Sequence, residues 1–320
     1  MKKIFFAVLV FFTGYSYSQV VDGEEQLKKV TIDTLEGWKT GGLTNINFSQ
    51  TKLTNWAAGG ENSLAVNGIV SLFSKYTTKQ ASWDSNIDLA YGVIKQGSGE
   101  KIKMIKTDDK IDISTKYGQK AFEKTYYAAL LSFKTQFADG FKYPDDSTVI
   151  SGYLAPGYLI GAVGLDYKPN DKLSFFLAPL TTKYTVVNIQ SLADAGAFGV
   201  EKAVFDENNV MIKPGKNSRW ELGGYMKMMY KQEIMKNVNF QTRLDLFSNY
   251  IKNPQNIDIN WEVLLAFKVN KYITSSISTQ LLYDDDVLIG FDTDDDGNVD
   301  KKKPAIQFKE ILAIGLSLKF

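Results

Sequence analysis

The stretch from Ala305 to Phe320 constrains this chain most. Every second residue is apolar: Ile306, Phe308, Leu312, Ile314, Leu316, Leu318 and Phe320. Between them fall Gln307, Lys309, Ala313, Gly315, Ser317 and Lys319. A period of two is that of a strand with one apolar face. Only Glu310 interrupts that face, and the stretch closes on an aromatic residue. Two architectures keep such a strand: a barrel closed in a membrane, and the edge of a soluble sandwich.

The same alternation recurs along the chain. It predicts strands over 43–51, 64–77, 81–94, 107–117 and 124–137, then over 219–232, 238–251, 257–269 and 272–283. The segments 152–167 and 173–187 are apolar on both faces and carry Pro156 and Pro179, residues that weaken a ladder. A bulge, or lumen packing against an inserted loop, is expected there. Short connections fall near residues 79, 120, 170, 234 and 270. Mostly longer ones fall at 52–62, 95–106, 138–151, 190–218, 252–256 and 285–303. Outer-membrane barrels alternate short periplasmic turns with longer extracellular loops in this way, and a sandwich has no reason to. The expected fold is all-β: an antiparallel transmembrane β-barrel of about twelve strands, with both termini periplasmic.

The N-terminus reads as an address. Lys2 and Lys3 precede the apolar run Ile4–Phe12, and the small residues Ser16 and Ser18 offer a cleavage site, so residues 1–18 are expected to be a signal peptide. Residues 19–42 are mixed and charged, an expected periplasmic extension, and 43–320 the barrel. No run approaches the roughly 20 apolar residues of a spanning helix.

Two zeros exclude whole chemistries. With no Cys there is no disulfide, thiolate nucleophile or lipidated N-terminal Cys, and with no His a Ser–His–Asp hydrolase is ruled out. The chain reads as a non-enzyme. A net charge of +1 gives no reason to expect a nucleic-acid partner. The expected partners are outer-membrane lipid, the barrel-assembly machinery during insertion, and an envelope protein not identified by the sequence. Aromatics at 13% suit interfacial girdles.

The terminal strand ending on Phe320 resembles the C-terminal signature of bacterial outer-membrane β-barrels. Phe48-Ser49-Gln50 and the run Asn55-Trp56-Ala57-Ala58-Gly59-Gly60-Glu61-Asn62-Ser63 resemble an uncharacterised family of Bacteroidota outer-membrane proteins, a domain of unknown function. The likeness is expected over most of the mature chain. It implies an outer-membrane barrel and brings no activity or catalytic residue. Asn55, Trp56, Gly59, Gly60 and Asn62 form a motif loop, read as a strand-linking turn ahead of a ligand site.

Three further patterns bear on function. Asp292, Asp294, Asp296, Asn298 and Asp300, with Gly297 at the sixth position, follow the spacing of a calcium loop. Lys303 stands where the bidentate Glu belongs, so weak Ca2+ binding or a solvated acidic loop is expected. Glu221, Lys227, Lys231, Arg243, Asp245, Glu262 and Lys268 fall on the polar faces of adjacent strands. They are expected to line the lumen, forming either a polar-solute channel or paired networks that partly occlude it. Asp84, Asp88 and Asp112 are a candidate acid–base group, with ion pairing the commoner use of such carboxylates. The readings carried forward are a small porin-like channel, a scaffold of an envelope assembly, and a calcium-stabilised surface-loop binder.

Overall fold

Strands with one dry and one wet face leave no unpaired edge only if the sheet closes. The computed structural model describes residues 36–54, 61–97, 103–143, 145–170, 172–270, 272–291, 293 and 300–320. In chain order its strands are β1 Gly37–Thr51, β2 Ser63–Thr77, β3 Ala81–Gln96, β4 Lys103–Phe122 and β5 Thr125–Thr135. A small hairpin follows, β6 Gly140–Phe141 and β7 Val149–Ser151. Next come β8 Gly157–Tyr167, β9 Leu173–Val186, helix α1 Gln190–Asp194, and a second hairpin, β10 Val204–Phe205 and β11 Met211–Lys213. The remainder is β12 Ser218–Met235, β13 Val238–Asn249, β14 Ile257–Lys268, β15 Ile273–Tyr283, a third hairpin of β16 Leu288–Phe291 and β17 Lys301–Pro304, and β18 Gln307–Lys319. The twelve long strands form one closed antiparallel barrel, in which β18 pairs with β1.

The barrel has a short end and a long end. Connections 78–80, 123–124, 168–172, 236–237 and 269–272 lie at the end where β1 begins and β18 finishes. Connections 52–62, 97–102, 136–156, 187–217, 250–256 and 284–306 lie at the other. The long end carries all three hairpins. Ala155, Val187, Ala193 and Val200 pack together there and tie two of the long loops to one another.

The outer surface is one that water does not keep bare. Phe308, Leu312, Ile314, Leu316 and Leu318 all face outward, with Leu312 71% exposed. Cross-strand register explains the girdle at the short end. Trp38 pairs with Tyr76, Tyr76 with Trp83, and Trp83 with Tyr117, so one aromatic row crosses four strands. Outward polar groups are satisfied locally: Trp83 Nε1 donates to Thr115 Oγ1, and Trp261 Nε1 to Thr242 Oγ1.

Three boundaries differ from expectation. β1 begins at Gly37, inside the stretch expected to be a periplasmic extension, and pairs with β2 along its whole length. Gly41 and Gly42 hide this strand from periodicity because neither carries a side chain. A Cβ at Gly42 would stand 2.5 Å from the Phe320 ring, so the final aromatic needs that glycine. β8 begins at Gly157, because 152–155 closes a tight bridge ahead of Pro156. β4 runs well beyond 107–117 at both ends. The bulge expected near Pro179 is present as register shifts of β9 against both neighbours.

Leu244 lies on the outward face of β13, opposite Trp261. Leu244→Lys is expected to cost about 2–4 kcal/mol of folding stability in a lipid bilayer if this wall faces hydrocarbon. Denaturant titration into vesicles measures it, and an effect below about 0.5 kcal/mol would speak against a lipid-facing wall.

Candidate functional site

Inward positions alternate with the apolar wall, so the polar residues of every strand converge on the lumen. Going round from β4 through β5, β8, β9, β12 and β13, β14 is the sixth strand and stands opposite β4. Lys110 on β4 nevertheless lies 3.6 Å from Glu262 on β14. Arg243 on β13 reaches Asp112 on β4 at 3.4 Å and Glu262 at 2.5 Å. Lys134 on β5 lies 3.7 Å from Asp112 and 3.8 Å from Asp245 on β13. Lys227 on β12 lies 3.7 Å from Asp245, which also accepts a hydrogen bond from Tyr225 Oη at 2.5 Å.

These distances set the barrel's cross-section. In a circular wall of twelve strands, opposite backbones stand roughly 24 Å apart. Extended Lys and Glu side chains with a 3.6 Å gap between them bridge only about 15 Å. The wall is therefore drawn in along the β4–β14 diameter, and the lumen divides into two lobes.

One lobe is bounded by β5, β8, β9, β12 and β13, and it is filled. Phe176, Tyr225 and Phe247 pack on Ala128, Leu130, Ala162 and Ala178. This is why β8 and β9 are apolar on both faces: they pack against aromatics of β12 and β13, not against an inserted loop. Its long-loop end is closed by Lys183 on β9, 2.7 Å from Asp258 and 3.5 Å from Asp284. Asp258, Asp284 and Asp285 bring carboxylate oxygens within 4.8 Å of one another, a spacing a cation also fits, and the Lys183 ammonium already supplies the charge. Beside it Arg219 pairs with Asp286 at 2.5 Å and donates to the Gly199 carbonyl, tying the 187–217 loop to the mouth. Burial alone would raise the Asp286 carboxyl, but hydrogen bonds from Lys252 and Arg219 hold it below the usual range. At the short end Lys116 and Lys168 share Asp166, and Lys168 also reaches Asp84.

The other lobe, bounded by β3, β2, β1, β18 and β15, carries small polar side chains. Asn45, Asn47, Ser71 and Ser317 line it, and a chain runs from Asn47 through Asn67 and Asp108 to Lys309. Toward the short end a cavity of about 140 Å³ reaches the walls of both lobes, touching Ser71, Asp84 and Asp88 on one side and Leu130, Ser174 and Gln241 on the other.

Of the residues singled out by sequence, Lys227, Arg243, Asp245 and Glu262 meet at the pinch. Glu221 pairs with Arg219 and Lys183 nearer the mouth. Lys231 and Lys268 lie toward the short ends of β12 and β14 and take no part in those pairs at the pinch. Of Asp84, Asp88 and Asp112, read as a candidate acid–base group, Asp84 and Asp112 are claimed by different cations, and Asp88 is a register neighbour of Asp112. Lys110, Lys134, Lys183 and Asp166 did not stand out in sequence. Their signal was only an inward register position, shared by many polar residues. Asp292, Asp294, Asp296 and Asn298 of the expected calcium loop, and Asn55, Trp56, Gly59 and Gly60 of the motif loop, lie outside the described residues. Asp300 accepts hydrogen bonds from the Thr293 N–H and hydroxyl, and Asn62 accepts one from the Leu53 N–H.

A family described as protein of unknown function (DUF3078) matches residues 48–141. The match runs from the end of β1 through the motif loop and β2 to β6, and is narrower than the expected likeness over most of the chain. No curated protein matches. Among solved structures, the chain is similar to the COG4313 outer membrane channel from Pseudomonas putida F1, at 12% identity and a TM-score of 0.39, covering 90% of this chain and 97% of that one. It is similar to the NanC porin at 10% identity and 0.35, covering 87% and 100%. The translocator domain of the autotransporter NalP from Neisseria meningitidis follows at 8% and 0.33, covering 94% and 93%. At such scores nothing about solute or site transfers to this chain.

Asp112 is the carboxylate shared by three cations. Asp112→Ala strands those charges and is expected to cost about 3–5 kcal/mol. Replacing Lys110 and Glu262 together by Met and Leu removes one charge of each sign and leaves Arg243 paired with Asp112 and Asp245, so it is expected to cost less than Asp112→Ala. Equilibrium unfolding in vesicles compares the two variants.

Proposed function

We propose that this chain is an outer-membrane β-barrel whose polar lobe is a narrow, normally shut conduit for small polar solutes. The observation that carries the reading is the asymmetry of the lumen. One lobe holds an aromatic cluster packed on alanines, whereas the other is lined by Asn and Ser and crossed by a chain of hydrogen bonds that ends in Asp108 and Lys309. A barrel with a purely structural role gains nothing from keeping half its interior polar, because buried polar groups add little stability when apolar packing is available. The Lys309–Asp108 pair is 3.1 Å long with the Lys309 side chain about half exposed, so solvent reaches the pair and it breaks at modest cost.

A second reading, a scaffold in an envelope assembly, draws on the β10–β11 hairpin. Phe205, Val210, Met211 and Ile212 are exposed there, beyond the barrel wall. Such a patch is a contact surface in search of a partner.

Planar-bilayer recording of the purified full chain separates the two readings. Wild type is expected to be silent, or to open rarely, at neutral pH. Lys309→Ala with Asp108→Ala is expected to give long-lived openings and at least a tenfold rise in mean conductance. A variant that folds, inserts and stays silent at all voltages would remove the conduit and leave the scaffold.

A further inference from the structure

The ladder that closes the barrel is shorter than the others. β1 pairs with β2 from Gly37 to Thr51, and β18 pairs with β15 from Gln307 to Leu316. Yet β1 meets β18 only over Leu43–Asn47 and Gly315–Lys319. Gly42 and Phe320 exchange both backbone hydrogen bonds, at 2.9 and 3.1 Å. Antiparallel alternation then fixes which residues aim their backbone groups at the seam. Beyond Asn47 these are Phe48 and Gln50 on β1, and Phe308, Glu310, Leu312 and Ile314 on β18. The Asn47–Gly315 pairing itself uses the Phe48 N–H and the Ile314 carbonyl; among the described residues the other groups of this set find no ladder partner across the seam. Bare backbone in a membrane wall costs several kcal/mol per group unless something satisfies it.

The ladder stops where Asn47 faces Gly315. There is no room for a side chain at that glycine, because Asn47 Oδ1 and the Ile46 carbonyl occupy the place of a Cβ. Just inside the break, the side-chain oxygens of Asn45 and Asn47 are buried and accept no hydrogen bond. The two residues are 7% and 8% exposed. Their oxygens are acceptors lacking donors. Just outside the break the wall is apolar, with Phe48, Phe308, Leu312 and Ile314 exposed.

We propose that the unzipped part of the β1–β18 seam is a lateral binding site for an amphiphile with a hydroxylated head and an alkyl tail. Head hydroxyls donate to Asn45, Asn47 and the free backbone carbonyls, while the tail lies along Phe48, Leu312 and Ile314. An added polypeptide strand fits less well. Its backbone would bond in the plane of the wall and leave the two inward Asn oxygens unserved. This site is entered sideways from the bilayer, and it shares Asn45 and Asn47 with the wall of the polar lobe proposed above as a conduit.

The chain has no Cys, so engineered pairs report cleanly. Asn45→Cys with Ser317→Cys lies in the zipped ladder and is expected to oxidise to a disulfide. Ser49→Cys with Ala313→Cys continues the same register past the break, and is expected to resist oxidation while accepting a bis-maleimide bridge. In lipid nanodiscs, an alkyl glucoside carrying a diazirine in its tail is expected to label Phe48–Thr51 and Phe308–Ile314 at least fivefold above the rest of the wall. The bis-maleimide bridge, and Asn47→Leu, are each expected to abolish that excess, with folding verified by heat-modifiable migration on gels. Equal oxidation of the two pairs would overturn the proposal. So would uniform labelling of the wall, or a second polypeptide crosslinked along the seam.

Discussion

The structure depends on charged side chains that meet across the lumen from opposite walls. Lys110 and Glu262 stand on strands half a circumference apart, and they touch only because the wall comes inward to let them. Arg243, Asp112, Lys134 and Asp245 complete the pinch. No member of this group would be tolerated alone, since an unpaired charge in a closed interior is costly. Together they neutralise one another, and they convert one wide lumen into two narrow ones.

The two lobes then follow from residue size. Where inward positions alternate Ala with Phe or Tyr, as on β5, β8, β9, β12 and β13, the walls interlock and the space fills. On β1, β2 and β18 several inward positions carry short residues instead, Asn45, Asn47, Ser71, Gly315 and Ser317 among them, and Lys309 reaches across to Asp108. The short closing ladder lies in this second lobe. The closing ladder is shortest on the side of the barrel whose lumen carries no apolar cluster among the described residues.

Much of the fold was legible in the sequence because a barrel writes its wall in a period of two. Strand number, the alternation of short and long connections, and the outward faces all come from that period and from turn spacing. Gly41 and Gly42 erased the signal at the start of β1, since a residue without a side chain has no face. The site was legible only in part. Arg243, Asp245 and Glu262 could be placed inward, but no local pattern says that Lys110 and Glu262 come together from opposite walls. That contact depends on closure, on the register of every intervening ladder, and on how far the wall is drawn in. The packed lobe looked like an anomaly in sequence, two strands apolar on both faces, and its meaning needed the aromatics of β12 and β13.

The pinch is tested most directly by a distance. Nitroxide labels at Ile111→Cys on β4 and Val263→Cys on β14 sit on the outer wall beside Lys110 and Glu262. Pulsed electron spin resonance reads their separation in folded protein. A wall drawn in by the ion pairs predicts a narrow distribution roughly 10 Å shorter than a circular twelve-strand barrel allows. It also predicts that the distribution lengthens or broadens when Lys110 and Glu262 are both replaced by Ser. A separation matching the circular barrel, unchanged by that double substitution, would contradict the account.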